Sequence, residues 1–192
     1  MHASIRFASL LFLFLSLFFA ASALPSGANV GSNELAARTQ PDNVVVSAVA
    51  ALKVQLTNDI AILPGCTDVG QATKVIVGLI GHIDACTALV AQTKVQVNVE
   101  AAVKAQVAAD AAFCIMIIVK ACLDLVIKFG LSAFLVIFAK LDLCINQLVV
   151  SVNICMVGAA TIIGKLIAGA TANGILELHF SLCAGAFGLL SL

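Results

Sequence analysis

Phe113 to Phe129 reads FCIMIIVKACLDLVIKF, and its three charges, Lys120, Asp124 and Lys128, stand four residues apart. With 3.6 residues per turn, that step keeps all three on one narrow side of a helix. The two-residue alternation of a half-buried strand is missing. A helix with so thin a polar stripe is surrounded on most sides. It reads as the core helix of a bundle with one solvated edge, an oligomer contact and a helix lying in lipid being the other settings open to it.

The rest of the chain agrees with helix. The prolines are Pro25, Pro41 and Pro64, so nothing from Gly65 to Leu192 interrupts a helix by that route. Only Lys94 to Val99 (KVQVNV) alternates with period two, and alanine-rich runs flank it. The expected class is all-α, a bundle of about five to six helices that is proline-free after Pro64.

Helix starts and stops can be placed one by one. Thr39-Gln40-Pro41-Asp42 is a helix start, with Thr39 as cap and Pro41 in the first turn. Val45, Val49, Leu52, Leu56, Ile60 and Leu63 follow as one buried stripe. Pro64-Gly65 ends that helix, and Thr67 or Asp68 caps the next, whose buried face is Ala72, Ile76, Ile80, Ile83, Cys86 and Val90. A weak region at Thr93 to Asn98 precedes a helix from near Asn98 to Phe129, with Glu100 and Lys104 paired along it. Gly130 terminates this helix and Ser132 caps its successor. Glycines 158, 164, 169 and 174 divide the last third into shorter pieces.

The beginning reads as an export signal. His2 and Arg6 precede an apolar stretch from Phe7 to Phe19, and Ala21-Ser22-Ala23 offers a cleavage site. Thirteen apolar residues fall short of the roughly 20 that span a bilayer. Residues 1–23 are therefore expected to be a signal peptide, 24–40 a flexible arm of Pro, Ser, Gly and Asn, and 41–192 a single hydrophobic helical domain. The expected location is secreted or at the cell surface, with membrane association open.

Composition narrows function. Hydrophobic residues make up 62% and charged residues 10%, and mean hydropathy is +1.14; ordinary domains carry about 25% charged residues. So few charges cannot cover a folded surface, and exposed apolar patches mark contact with membranes, further copies or partners. The formal net charge is zero, so there is no basic excess to hold phosphate backbones. Nucleic acid is not an expected partner; a membrane surface, self-association or an apolar ligand is.

Membrane anchoring has two candidates. Leu143 to Gly164 is uncharged but carries Asn146, Gln147, Ser151 and Asn153, which are costly in hydrocarbon. Ala170 to Gly174 followed by Phe180 to Leu192 resembles a lipid-anchor signal, with a spacer shorter than the polar stretch of about 8–12 residues expected.

The seven cysteines (66, 86, 114, 122, 144, 155 and 183) read first as disulfides if the chain is exported, and otherwise as small apolar residues on helix faces. A hairpin turn at Gly130 to Ser132 would set Cys122 opposite Cys144 and Cys114 opposite Cys155, the two candidate bridges.

Chemistry is sparse. There is no C-x-x-C and no phosphate-binding glycine loop. Gly130-Leu131-Ser132-Ala133-Phe134 starts like a nucleophile elbow but has phenylalanine where glycine is needed, so it reads as a cap. His82 with Cys86 and His179 with Cys183 could together offer a metal two imidazoles and two thiolates; in the simpler reading Cys86 and Cys183 are bridged or in the core, with the histidines at helix edges. We expect no catalytic residues, no cofactor, no metal and no enzyme.

In its signal-like start, proline-free Ala/Val/Leu/Ile helices and small size the chain resembles the small secreted hydrophobic proteins of mushroom-forming fungi. It lacks the adjacent cysteine pairs of the hydrophobins. The resemblance implies a secreted protein without an assigned activity. Three functions follow from the sequence: a structural or interaction protein acting at interfaces, a membrane-resident protein held by 143–164 or the tail, and a carrier of an apolar ligand in a cavity lined by Phe113, Ile117, Phe134 and Phe138.

Overall fold

The computed structural model describes residues 41–93, 100–169 and 171–189. The expected signal peptide, arm, Thr39 cap and the whole KVQVNV stretch lie outside these residues. Among them there are seven α-helices and no strand: α1 Pro41–Ile60, α2 Val69–Gln92, α3 Ala101–Phe129, α4 Leu135–Cys155, α5 Ala159–Ala168, α6 Ala172–Glu177 and α7 Ser181–Ala186. The count exceeds expectation because the end of the chain breaks into short pieces.

Local chemistry accounts for the boundaries. Pro41 opens α1, where its fixed φ costs nothing and its missing N–H has no helical partner to lose. A 3-10 turn at Leu63–Gly65 ends the segment at Pro64. Asp68 accepts a hydrogen bond from Gln71 N at 2.9 Å while Gln71 Oε1 accepts from Thr67 N at 3.0 Å, so α2 starts on a reciprocal cap. Gly130 closes α3 at φ +86.

Two starts differ from expectation. Ser132 sits in a 3-10 turn, Leu131–Ala133, and α4 begins after Phe134 without a side-chain cap. Lys104 forms no ion pair with Glu100; its Nζ reaches the Val157 carbonyl at 2.9 Å, bonding an orphaned acceptor at the end of a neighbouring helix.

The helices close into a cycle in which α1 packs on α2 and α3, α2 on α4, α4 on α5, and α5 back on α3. Within this cycle α3 lies between α1 and α5, and α6 covers a further part of it. From Val107 to Val119 none of its residues is exposed, and solvent reaches its second half at Lys120, Asp124, Ile127 and Lys128. The core-helix reading of Phe113 to Phe129 therefore describes the bundle, and the buried stripes of α1 and α2 face its interior, Leu79 being more deeply buried than the expected Ile80.

The run from Leu143 to Gly164 is not one helix. Gly158, in the left-handed region at φ +89, breaks it. Asn153 Oδ1 accepts from the backbone N–H of Gly158 and Ala160 at 3.1 and 3.2 Å, so an amide that would burden a straight span starts α5 instead. Gly164 and Gly174 lie within α5 and α6, not between helices. A Cβ on Gly174 would stand 2.8 Å from Val119 Cγ1, so only glycine lets α6 lie this close to α3.

Phe180 to Leu189 contribute to the core. Phe180 is buried edge-on to Phe138, with ring centroids 6.1 Å apart. Asp142, 3% exposed, accepts from the N–H groups of Leu182 and Cys183 at 2.9 Å each, holding the start of α7 against α4. A carboxylate accepting from two backbone N–H groups, that of Cys183 buried and that of Leu182 partly so, is a strong clamp. Asp142→Ala leaves both donors unpaired and should cost about 2–4 kcal/mol. Urea unfolding and limited proteolysis should show the loss together with new cleavage after residue 177; unchanged resistance would mean that α7 is held by packing alone.

Candidate functional site

Two surface features stand apart from the closed interior, a groove and an apolar stripe. The groove, of about 490 Å³, lies where the end of α1 and its 3-10 turn meet the second half of α3. Ile60, Leu63, Ile117, Ala121 and Leu125 supply its apolar walls. Its rim is the charged edge of α3, Lys120, Asp124 and Lys128. Lys128 Nζ donates to the carbonyls of Cys66 at 2.6 Å and Pro64 at 3.2 Å, bonding acceptors that the end of α1 leaves unpaired. Lys120 and Asp124 pair at 2.8 Å in an exposed, easily exchanged bridge.

The cavity expected between Phe113, Ile117, Phe134 and Phe138 is filled instead. Phe134 and Phe138 stack at 5.3 Å, Phe129 meets Phe134 edge-on at 6.1 Å, and both central rings are buried. Phe113 lies under the Lys53 ammonium, 4.9 Å from the ring centre, beside the 2.7 Å pair of Lys53 with Asp110. Of the four residues, Ile117 alone lines the groove.

The stripe runs along α4. Leu135, Val136, Leu143, Val150 and Ile154 face outward and Val157 continues the line; Val136 is 77% and Ile154 60% exposed. Lys140 and Gln147 are the main polar interruptions on that side.

All seven cysteines are buried and occur as thiols. The hairpin expected to set Cys122 opposite Cys144 and Cys114 opposite Cys155 does not form, because the chain diverges at Gly130 and α4 packs on α2 while α3 packs on α1 and α5. Cys155 Sγ lies 3.4 Å from the Val90 carbonyl on α2, and Cys183 Sγ 3.6 Å from the Asp142 carbonyl. Desolvation pushes the Cys86 thiol up to about 11 from an ordinary 9.0. Desolvation, helped by Asp110 and Cys86, pushes Cys114 to about 12. Burial raises Cys122 and Cys183 as well, with Asp142 adding to the effect at Cys183.

The two His/Cys pairs do not converge. His82 Nε2 lies 3.2 Å from Asp59 Oδ2, and Cys183 bonds at Asp142. Among the described residues no group of three or more His, Cys, Asp or Glu side chains is placed to hold a metal. Three helical segments, Val44–Gly65, Val69–Gln92 and Leu135–Cys155, are long and apolar enough to cross a membrane. The chain matches no known protein family, and no curated protein is significantly similar to it.

The raised thiols predict an alkaline weakness. The unfolded chain releases thiol protons near 9.0 while the folded chain holds them to about 11 or 12, so stability is fully present below pH 9 and falls as pH rises through the folded values. Urea midpoints between pH 7 and 11 should show this fall, with no change on adding reductant. A flat profile, and a mass that changes on alkylation only after reduction, would mean that the cysteines are bridged.

Proposed function

We propose that the chain is a secreted structural or interaction protein that works at cell surfaces or interfaces through the apolar outer side of α4. The stripe from Leu135 to Val157 carries this reading, since it places large aliphatic residues outside a bundle whose interior is already filled. Covering about 400 Å² of such surface is worth on the order of 10 kcal/mol, against about 4–15 kcal/mol for association. The contact is favourable where the partner is large and apolar, as a lipid or air–water surface is. Resemblance to the secreted hydrophobic proteins of mushroom-forming fungi points the same way.

A membrane-resident protein is the second reading, favoured by the three long apolar segments. Polar groups on their outer sides weigh against it. Lys74 on α2, and Gln55 and Asn58 on α1, are exposed and would face hydrocarbon. The candidate span 143–164 is broken at Gly158, and Phe180 and Cys183 of the candidate tail are buried, which also weighs against it.

Flotation with neutral phosphatidylcholine vesicles tests the proposal. The protein should be soluble without detergent, float with vesicles, keep doing so across a salt series because its net charge is zero, and lose about tenfold or more in partitioning on Val136→Lys with Ile154→Lys. Insolubility without detergent would favour membrane residence. A soluble protein that ignores vesicles would exclude both readings.

A further inference from the structure

We propose that the groove between the end of α1 and the second half of α3 binds the free carboxylate of a single long-chain fatty acid. This does not rest on the α4 stripe, which belongs to other helices. The walls, Ile60, Leu63, Ile117 and Leu125, suit a hydrocarbon chain, and about 490 Å³ lies within the roughly 300–1,000 Å³ usual for small-molecule sites.

The rim selects the head group. Lys120, Asp124 and Lys128 sum to one positive charge, so a singly charged anion leaves the rim neutral and a cation does not. Lys128 offers an ammonium already positioned by the carbonyls of Cys66 and Pro64. Those two bonds, with the centre of the Phe129 ring 5.2 Å from Nζ, hold the side chain without neutralising it. An ammonium has three donors, so one N–H is not taken by the two carbonyls and can turn to a carboxylate oxygen, a stronger acceptor than a ring face. Among the described residues Lys120 is held by its exposed bridge to Asp124, and can turn to the same head group at little cost. The arrangement gives an apolar slot closed at one edge by a fixed cation and an adjustable one.

Calorimetric titration of the full chain with palmitate, kept below its aggregation concentration, tests the assignment. Palmitate should bind one to one, and hexadecanol and hexadecyltrimethylammonium about tenfold more weakly or worse. Ala61→Trp, an exposed position that lines the groove, should fill it and weaken palmitate by about tenfold or more, as should Lys120→Glu at the rim. Val136→Lys on the α4 stripe should leave binding unchanged, which separates the groove from general surface adsorption. Circular dichroism should show all three variants folded. Binding that ignores Ala61→Trp or Lys120→Glu, a cationic amphiphile that binds as tightly as palmitate, or a loss on Val136→Lys as large as on Ala61→Trp would overturn the proposal.

Discussion

Enclosure of α3 is the constraint on which the rest depends. Ala108, Ala111 and Ala112 leave its first half thin enough for neighbours to approach closely, and Ile115, Ile118, Val119 and Leu125 fill the interior beyond them. Because α1 and α5 must both reach this helix, α2 and α4 are carried round to complete the cycle. Gly130 and Gly158 make the required turns in a backbone region that other residues rarely adopt. Few polar side chains lie in the interior or at its margin, and two of them start helices, Asp142 at α7 and Asn153 at α5.

The same enclosure makes the surface unusual. A chain with 62% hydrophobic residues fills its interior and still has aliphatic side chains to place outside. Val54, Val77, Leu89 and Ile127 stand singly on α1, α2 and α3, the first three beside polar residues such as Gln55, Asn58 and Lys74, whereas α4 carries a line of them.

Helix content and the enclosed helix were legible because they depend on local order: no proline after Pro64, three charges stepping by four, and apolar stripes at three- and four-residue intervals. Which helices touch was not legible. The turn at Gly130 was visible, but nothing in the sequence tells a hairpin from a divergence, so the cysteine pairings drawn from a hairpin had no geometric support. Asp142 could not be found either, since its partners are backbone groups about forty residues further on and leave no side-chain signature. The groove was half legible. Its charged rim was plain in the spacing of Lys120, Asp124 and Lys128, but its walls come from α1, whose position no local pattern specifies.

The central claim is that the chain folds in water around α3 and meets lipid, if at all, with α4. Residue-resolved hydrogen exchange in plain buffer and again with vesicles tests it most directly. The amides from Val107 to Leu125 should be the slowest to exchange in both conditions, and added protection with vesicles should be confined to α4 and its continuation to Val157. If α3 exchanges as fast as the chain ends in buffer and is protected only when lipid is present, the bundle does not form by itself and the account is contradicted.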